Sequence, residues 1–212
     1  MRGARYRLVF FDVDSTLVTI EGIDVLAGGN PEIAALTERA MNGEVPLDQV
    51  YARRLELIRP TRAAVEQLGA TYIDSLTIGA YDVVRTLREA GAQVHLVTAG
   101  IAQAIVPLAE HLGILERAVH AVRLQFDGNE YRDFDRRSFL AKPGGKELVV
   151  RDVRARSHGK AAFVGDGVSD LEAKPAVDLF IGFGGVARRE RVKENADLYV
   201  ERLADALPHL LT

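Results

Sequence analysis

Two aspartates one residue apart, Asp12 and Asp14, follow directly on the apolar run Leu8-Val9-Phe10-Phe11. Three more stretches carry related chemistry: Thr98-Ala99-Gly100 after the run VHLV, then Gly144-Gly145-Lys146, then Asp166-Gly167-Val168-Ser169-Asp170 after AAFV. Singly, each has an ordinary explanation. Aspartate at a strand end is commonly a turn or capping residue, threonine ahead of a helix is a plain N-cap, and Asp-Gly is a turn dipeptide. Lys146 is harder to dismiss, because a cation in the first turn of a helix opposes the macrodipole by about 0.3–1 kcal/mol. Together they pose a charge problem, since carboxylates gathered at one place repel unless something cationic sits among them. An all-oxygen ligand set without histidine or cysteine favours a hard ion, and Mg2+ with water and a phosphate oxygen completes an octahedron. His95, His111, His120, His158 and His209 have no ligand spacing and are read as structural.

These stretches meet only if the elements before them are strands of one sheet. The first strand is expected over residues 7–13. From Gly22 to Ile73 the pattern is helical: Asn30-Pro31 caps a helix, Pro46 opens another, and Thr61 caps a third that ends at Gly69. Alternation follows. A helix near 81–90 closes at Gly91, then come the strand QVHLVT and a helix over 101–112 closed by Gly113. A hairpin turns at Asp127-Gly128-Asn129, and a helix over 145–156 leads to the strands KAAFVGD, DLFIGF and LYV, with helices between them. Such alternation predicts a parallel sheet with helices on both faces. The expected fold is α/β, a Rossmann-like three-layer core with a mostly parallel sheet, plus a small all-helical cap inserted after the first strand. Residues 1–17 and 76–212 form the expected core and 18–75 the expected cap, with hinges near 16–21 and 74–79. In open α/β sheets ligands bind beyond the carboxyl ends of the strands, where these stretches fall.

Composition narrows the class. A chain of 212 residues that is 48% hydrophobic can bury a large core. A net charge of −3 and an isoelectric point near 6.0 give nucleic acid or an anionic membrane no reason to bind. The absence of cysteine rules out a disulfide framework and a thiolate nucleophile, and suits a reducing cytoplasm. The apolar run before Asp12 is shorter than the about 7–15 residues of a secretory signal. No segment approaches the roughly 20 apolar residues of a membrane span. The expectation is a cytoplasmic monomer or homodimer with a small-molecule partner, and neither nucleic acid nor membrane.

The motifs DVDST, TAG, GGK and GDGVSD, in that order and spacing, resemble the four motifs of the haloacid dehalogenase superfamily over essentially the whole chain. The resemblance implies that Asp12 is a nucleophile forming an aspartyl-phosphate. Asp14 would protonate the leaving alkoxide and then activate the hydrolytic water. Thr98 and the amides of Ala99 and Gly100 would hold phosphate oxygens at a helix N-terminus, and Lys146 would neutralise the nucleophile and the transferring group. Asp12, the backbone carbonyl of Asp14 and Asp166 would hold Mg2+, with Asp170 supporting them. Strand alternation accounts for Asp12 and Asp14 sharing a side, as i and i+2.

A narrower resemblance lies in EGID, ERAMNGEVPLDQVYARRLELI and FIGFGGVARRERVKENA, which are similar to phosphoserine phosphatases. Singly, Glu21 and Arg54 read as a solvated helix face. The resemblance implies instead that Glu21 meets a substrate ammonium and Arg54 its carboxylate. Met41 would shield a pocket to which Leu47 and Ser169 contribute. The implied activity is Mg2+-dependent hydrolysis of a small phosphate monoester, O-phospho-L-serine. The alternatives are hydrolysis or phosphoryl transfer on another small phosphorylated metabolite, and a catalytically silent binding module. Two departures bear on the substrate: Thr98-Ala99-Gly100 where that family usually has Ser-Gly-Gly, and Leu47 in place of a phenylalanine. Ala99 brings a Cβ, and a restriction on positive φ, to a loop that approaches substrate.

Gly182-x-Gly184-x-x-Ala187 with Glu201 imitates a dinucleotide fingerprint, but too little chain follows for the second half-domain of such a fold. These glycines are read as a tight turn with Arg189 on the helix behind it. The second D-x-D, Asp133-Phe134-Asp135, is read as a turn after the hairpin.

Overall fold

A computed structural model of the chain describes residues 3–212, the side chain of Met41 excepted. β1 (Leu8–Phe11) is an unbroken apolar run, the pattern of a strand covered on both faces, and each of its residues is 0% exposed. Helices α1 (Gly22–Leu26), α2 (Pro31–Met41), α3 (Leu47–Ile58) and α4 (Arg62–Asp74) follow. The Asn30 side chain accepts from the Glu32 amide and Thr61 accepts from the Ala64 amide, so α2 and α4 begin at the expected caps. Next come α5 (Ala80–Glu89), β2 (Gln93–Ile101), α6 (Ala102–His111), β3 (Val119–Val122), β4 (Leu124–Asp127) and β5 (Glu130–Phe134). The chain continues through α7 (Gly145–Ala155), β6 (Ala161–Gly165), α8 (Val168–Leu171), β7 (Leu179–Phe183), α9 (Glu190–Asn195), β8 (Leu198–Val200) and α10 (Leu207–Leu210).

The six-stranded sheet has the order β3-β2-β1-β6-β7-β8, and all its pairings are parallel. β4 and β5 make the expected antiparallel hairpin apart from it. The chain winds outward from β1 in both directions, so the crevice beyond Phe11 and Gly165 is the switch point at which such sheets take ligands. The α/β, Rossmann-like fold with a parallel sheet flanked by helices agrees with the expectation; the elements differ in detail. β1 ends at Phe11, with Asp12 still extended, because the chain turns from Val13 onward. β3 is an additional edge strand. α4 runs on past Gly69, which is a close-approach residue and no terminator: a Cβ there would stand 3.3 Å from Pro107 Cγ of α6. No helix among the described residues is long and apolar enough to cross a membrane.

A row of rings crosses five strands and ties β1 into the middle of the sheet. His120 and His95 lie 5.5 Å apart, His95 and Phe10 5.3 Å, Phe10 and Phe163 6.3 Å, and Phe163 and Phe180 5.9 Å. His95 Nδ1 and His120 Nε2 are 3.3 Å apart, close enough for one neutral ring to donate to the other. Burial, and then repulsion from His120, pushes His95 down to about 4. Burial also lowers His120, with Asp152 of α7 opposing and Arg156 of α7 adding to the shift. Because His95 titrates near 4 when folded and near 6.5 when unfolded, the unfolded chain takes up the proton first as pH falls. Stability is therefore lost on acidification through that window. His95→Phe keeps a ring beside Phe10 and removes the titration. In urea unfolding it should flatten the fall in stability between these two values; equal slopes for parent and variant would remove His95 as the cause.

Candidate active site

Asp12 continues β1 by one residue, its amide donating to the Val164 carbonyl of β6 at 3.0 Å. Beyond it the chain does not stay extended. Residues Val13–Leu17 form a wide helical turn, broken at Asp14 (φ −58, ψ 137) and at Ser15, whose φ of 52 is left-handed. Asp12 and Asp14 are thus brought together by a turn and not by strand pleating, which corrects the alternation argument. A left-handed non-glycine residue costs on the order of 1–3 kcal/mol. Local hydrogen bonds offset it here: the Ser15 amide donates to the Ile20 carbonyl at 3.1 Å, and Ser15 Oγ donates to Glu21 Oε1 at 2.6 Å.

The turn leaves Asp14 buried, with Oδ1 accepting from the Gly22 amide at 2.7 Å and from the Tyr72 hydroxyl at 2.8 Å. Burial, and then the charge of Asp12, raise Asp14 to about 6. Lys146 lies in the first turn of α7, where Gly145 lets the helix start tight against the chain, since a Cβ there would collide with the Phe139 carbonyl. Its Nζ is 2.5 Å from Asp170 Oδ1 and 2.9 Å from Asp12 Oδ1, the latter an ion pair without aligned hydrogen-bond geometry. Burial alone would lower its pKa, but attraction to Asp12 and Asp170 holds the ammonium above the ordinary lysine range. That pairing explains a cation at a helix start.

Asp166 and Asp170 are 0% exposed and lie behind Asp12 and Lys146, off the cleft wall. Thr16 Oγ1 donates to Asp166 Oδ1 at 2.8 Å, and the Gly167 amide donates to Asp170 Oδ2 at 2.8 Å. Burial and the Asp12 charge raise Asp166 to about 7 and push Asp170 well above the usual carboxylate range. One oxygen each of Asp12, Asp166 and Asp170 lies within 4.8 Å of the others. Asp166 Oδ2 is buried without a hydrogen-bond partner. A buried carboxylate oxygen that accepts no hydrogen bond, with Arg189 Nε standing 3.4 Å away, fits a hard divalent cation beside the other two carboxylates.

Thr98, Ala99 and Gly100 belong to the end of β2, and α6 starts only at Ala102, so Thr98 is not its N-cap. The Gly100 amide donates to Thr98 Oγ1 at 2.9 Å, which occupies that amide and leaves the hydroxyl hydrogen free to be donated. Ala99 does not have positive φ; among described non-glycine residues only Ser15 and Arg59 do. The alanine therefore introduces no backbone strain.

A cleft enclosing about 740 Å³, its open mouth included, gathers Asp12, Asp14, Glu21, Leu47, Arg54, Thr98, Ala99, Gly100, Lys146 and Ser169 on its wall. Burial, and then Asp14, raise Glu21 well above its ordinary value. Arg54 of α3 is 6% exposed; Nη1 donates to Thr37 Oγ1 at 3.1 Å, while buried Nε has no partner. Met41 is the one expected site residue whose side chain lies outside the described residues.

Several site residues carry no sequence signal. Tyr51 donates from its hydroxyl to the Ala99 carbonyl at 3.0 Å, and Tyr72 reaches Asp14, yet both read as apolar positions on amphipathic helices. Arg189, expected on the helix behind a glycine turn, stands just ahead of α9 and is buried with Nε 3.4 Å from Asp166 Oδ2. Its Nη1 lies 3.4 Å from Glu38 Oε1 and 3.3 Å from Asn42 Oδ1, on and just beyond α2. The glycines beside it leave no cradle for a dinucleotide, because a Cβ at Gly184 would collide with the Tyr199 hydroxyl. Asp133 and Phe134 are not in a turn as expected but end β5, paired with Gln125 and Leu124; the turn follows over 135–138, and Asp133 pairs with Arg136 at the surface.

A family model for haloacid dehalogenase-like hydrolases matches residues 6–178. Phosphoserine phosphatase of Bos taurus is 40% identical over 204 residues, covering 94% of this chain and 91% of that protein. A solved phospho-aspartyl intermediate analogue of phosphoserine phosphatase superposes with a TM-score of 0.85 at 27% identity, over 97% of this chain and 99% of that one. A substrate-bound phosphoserine phosphatase complex gives a TM-score of 0.85 at 26% identity, over 97% and 98%. With its four motifs converging on one cleft at the switch point of the sheet, the chain belongs to the haloacid dehalogenase-like hydrolases, among relatives that are phosphoserine phosphatases.

Proposed function

We propose that this hydrolase converts O-phospho-L-serine and water to L-serine and phosphate through an aspartyl-phosphate on Asp12. One observation carries the reading. The Asp12–Lys146 ion pair and the side chains of Glu21 and Arg54 line the same cleft, which therefore offers groups for a phosphate and for an amino acid together. The relatives' names support the same substrate.

In the first half-reaction an Asp12 carboxylate oxygen attacks phosphorus and the ester P–O bond breaks, while Asp14 gives its proton to the departing serine oxygen. In the second, Asp14 takes a proton from water, the water oxygen bonds to phosphorus, and the bond to Asp12 breaks. A group that alternates between acid and base works best with a pKa near the working pH, and burial moves Asp14 in that direction, to about 6. Lys146, the Thr98 hydroxyl and the Ala99 amide hold the phosphoryl oxygens. Asp12, the Asp14 carbonyl and Asp166 would hold Mg2+, with Asp170 anchoring Lys146 behind them. When bound, the ion supplies positive charge to the phosphoryl oxygens.

The unpartnered Nε of Arg54 reads the serine carboxylate and Glu21 meets the ammonium. Residues 18–75 act as the cap that brings these two groups to the core, and Leu47 and Ser169 shape the space between.

Asp12→Asn should abolish phosphate release without lowering the unfolding midpoint, and normal turnover in that variant would end the covalent mechanism. Chelation should silence the parent enzyme and Mg2+ should restore it; activity that survives exhaustive chelation would remove the metal role. Arg54→Ala should lower kcat/KM for phosphoserine by about 10–100-fold, the effect of losing a hydrogen bond to a charged group. A generic aryl phosphate should lose far less. Equal losses on both esters would show that Arg54 does not read the carboxylate.

A further inference from the structure

We propose that Tyr72 of α4 is a positioning residue for Asp14, and that its hydroxyl decides which carboxyl oxygen of Asp14 moves the proton. The proposal rests on the assignment of Asp14 as acid and base made above. Tyr72 is 1% exposed and comes from 58 residues away to donate to Asp14 Oδ1 at 2.8 Å. The Gly22 amide donates to the same oxygen at 2.7 Å. An ionised carboxylate oxygen offers about two lone-pair sites, so these two hydrogens fill Oδ1. The proton passed to the leaving oxygen, and later taken from water, must travel on Oδ2.

Oδ2 faces the right way. A Cβ at Gly100 would lie 3.1 Å from Asp14 Oδ2 and 3.2 Å from Thr98 Oγ1, so this oxygen looks toward the loop assigned to the phosphate. Two donors on Oδ1 hold the carboxyl in that orientation. With one donor removed it keeps only the Gly22 amide, about which it can turn, and the productive orientation is populated less. The surroundings are shaped for this tyrosine. A Cβ at Gly22 would collide with the Tyr72 hydroxyl, and Gly69, three residues earlier on α4, lets the helix settle against Pro107. Tyr72 touches Asp14, so it acts on the reaction through that carboxyl.

Tyr72→Phe keeps the ring and removes the hydroxyl. With phosphoserine the expected result is a kcat lower by about 10–100-fold, from one lost hydrogen bond to a charged group, with KM unchanged. An aryl phosphate whose phenolate leaves without protonation separates the two steps. Rapid mixing of Tyr72→Phe with that ester should give a first-turnover burst as fast as the parent's, followed by a slowed steady state, because only the second step needs the base. Gly22→Ala, which pushes the ring aside with its hydroxyl intact, should show the same split. Unchanged kcat in both variants, a rise in KM alone, or a burst slowed in step with turnover each overturns the proposal. Asp14→Asn in the same assay keeps the two claims apart. Turnover retained there ends the assignment of Asp14 itself, whereas its loss beside full activity in Tyr72→Phe ends only the role of the tyrosine.

Discussion

Asp12, Asp14, Asp166 and Asp170 are all buried beyond the carboxyl ends of β1 and β6, where water cannot dilute their repulsion. Two like charges 4 Å apart oppose each other by about 4 kcal/mol at an effective dielectric of 20. The surrounding structure answers that repulsion. Lys146 stands between Asp12 and Asp170, Arg189 stands beside Asp166, and burial drives the pKa values of Asp14 and Asp166 upward. Asp166 Oδ2 still accepts no hydrogen bond, which suits it to a divalent cation. A cluster so poorly compensated is an unusual thing for a fold to keep for stability alone. It is well suited to gripping a phosphoryl group, whose transfer depends on positioning and charge.

The helices after β1 hold the proposed catalytic residues in place. α4 packs its Gly69 against α6 and sends Tyr72 to Asp14. α3 sends Tyr51 to the Ala99 carbonyl and Arg54 into the cleft. From the far end of the chain, Arg189 joins a candidate metal ligand to Glu38 of α2. The helical segment is therefore fastened to the proposed catalytic residues at several points, each made by a polar group at the end of an otherwise buried side chain.

Much of this was legible in the sequence, for identifiable reasons. β1 announces itself because Leu8-Val9-Phe10-Phe11 has no polar break, and the acids after it stand out against that run. Asn30-Pro31 and Thr61 mark helix starts because capping is local chemistry. β3 leaves little sequence signal because VHAV is short, lies at an edge and is mostly half-buried, so it shows neither alternation nor a full apolar run. Gly69 looked like a helix end because nothing near it in sequence shows Pro107 waiting across the interface. The left-handed Ser15 was equally hidden, and with it the turn that aims Asp14. Tyr72 and Arg189 act over separations of 58 and 151 residues, and a single sequence carries no local trace of such contacts.

A covalent phosphoryl group on Asp12 can be looked for directly. The enzyme with Mg2+ would be mixed with phosphoserine, quenched in acid within a turnover, digested and mapped by mass spectrometry. The expected result is one phosphoryl group on the peptide containing Asp12, appearing before free phosphate accumulates and lost on longer incubation. Phosphorus on another residue, or turnover through many cycles with none ever found on the protein, would contradict it.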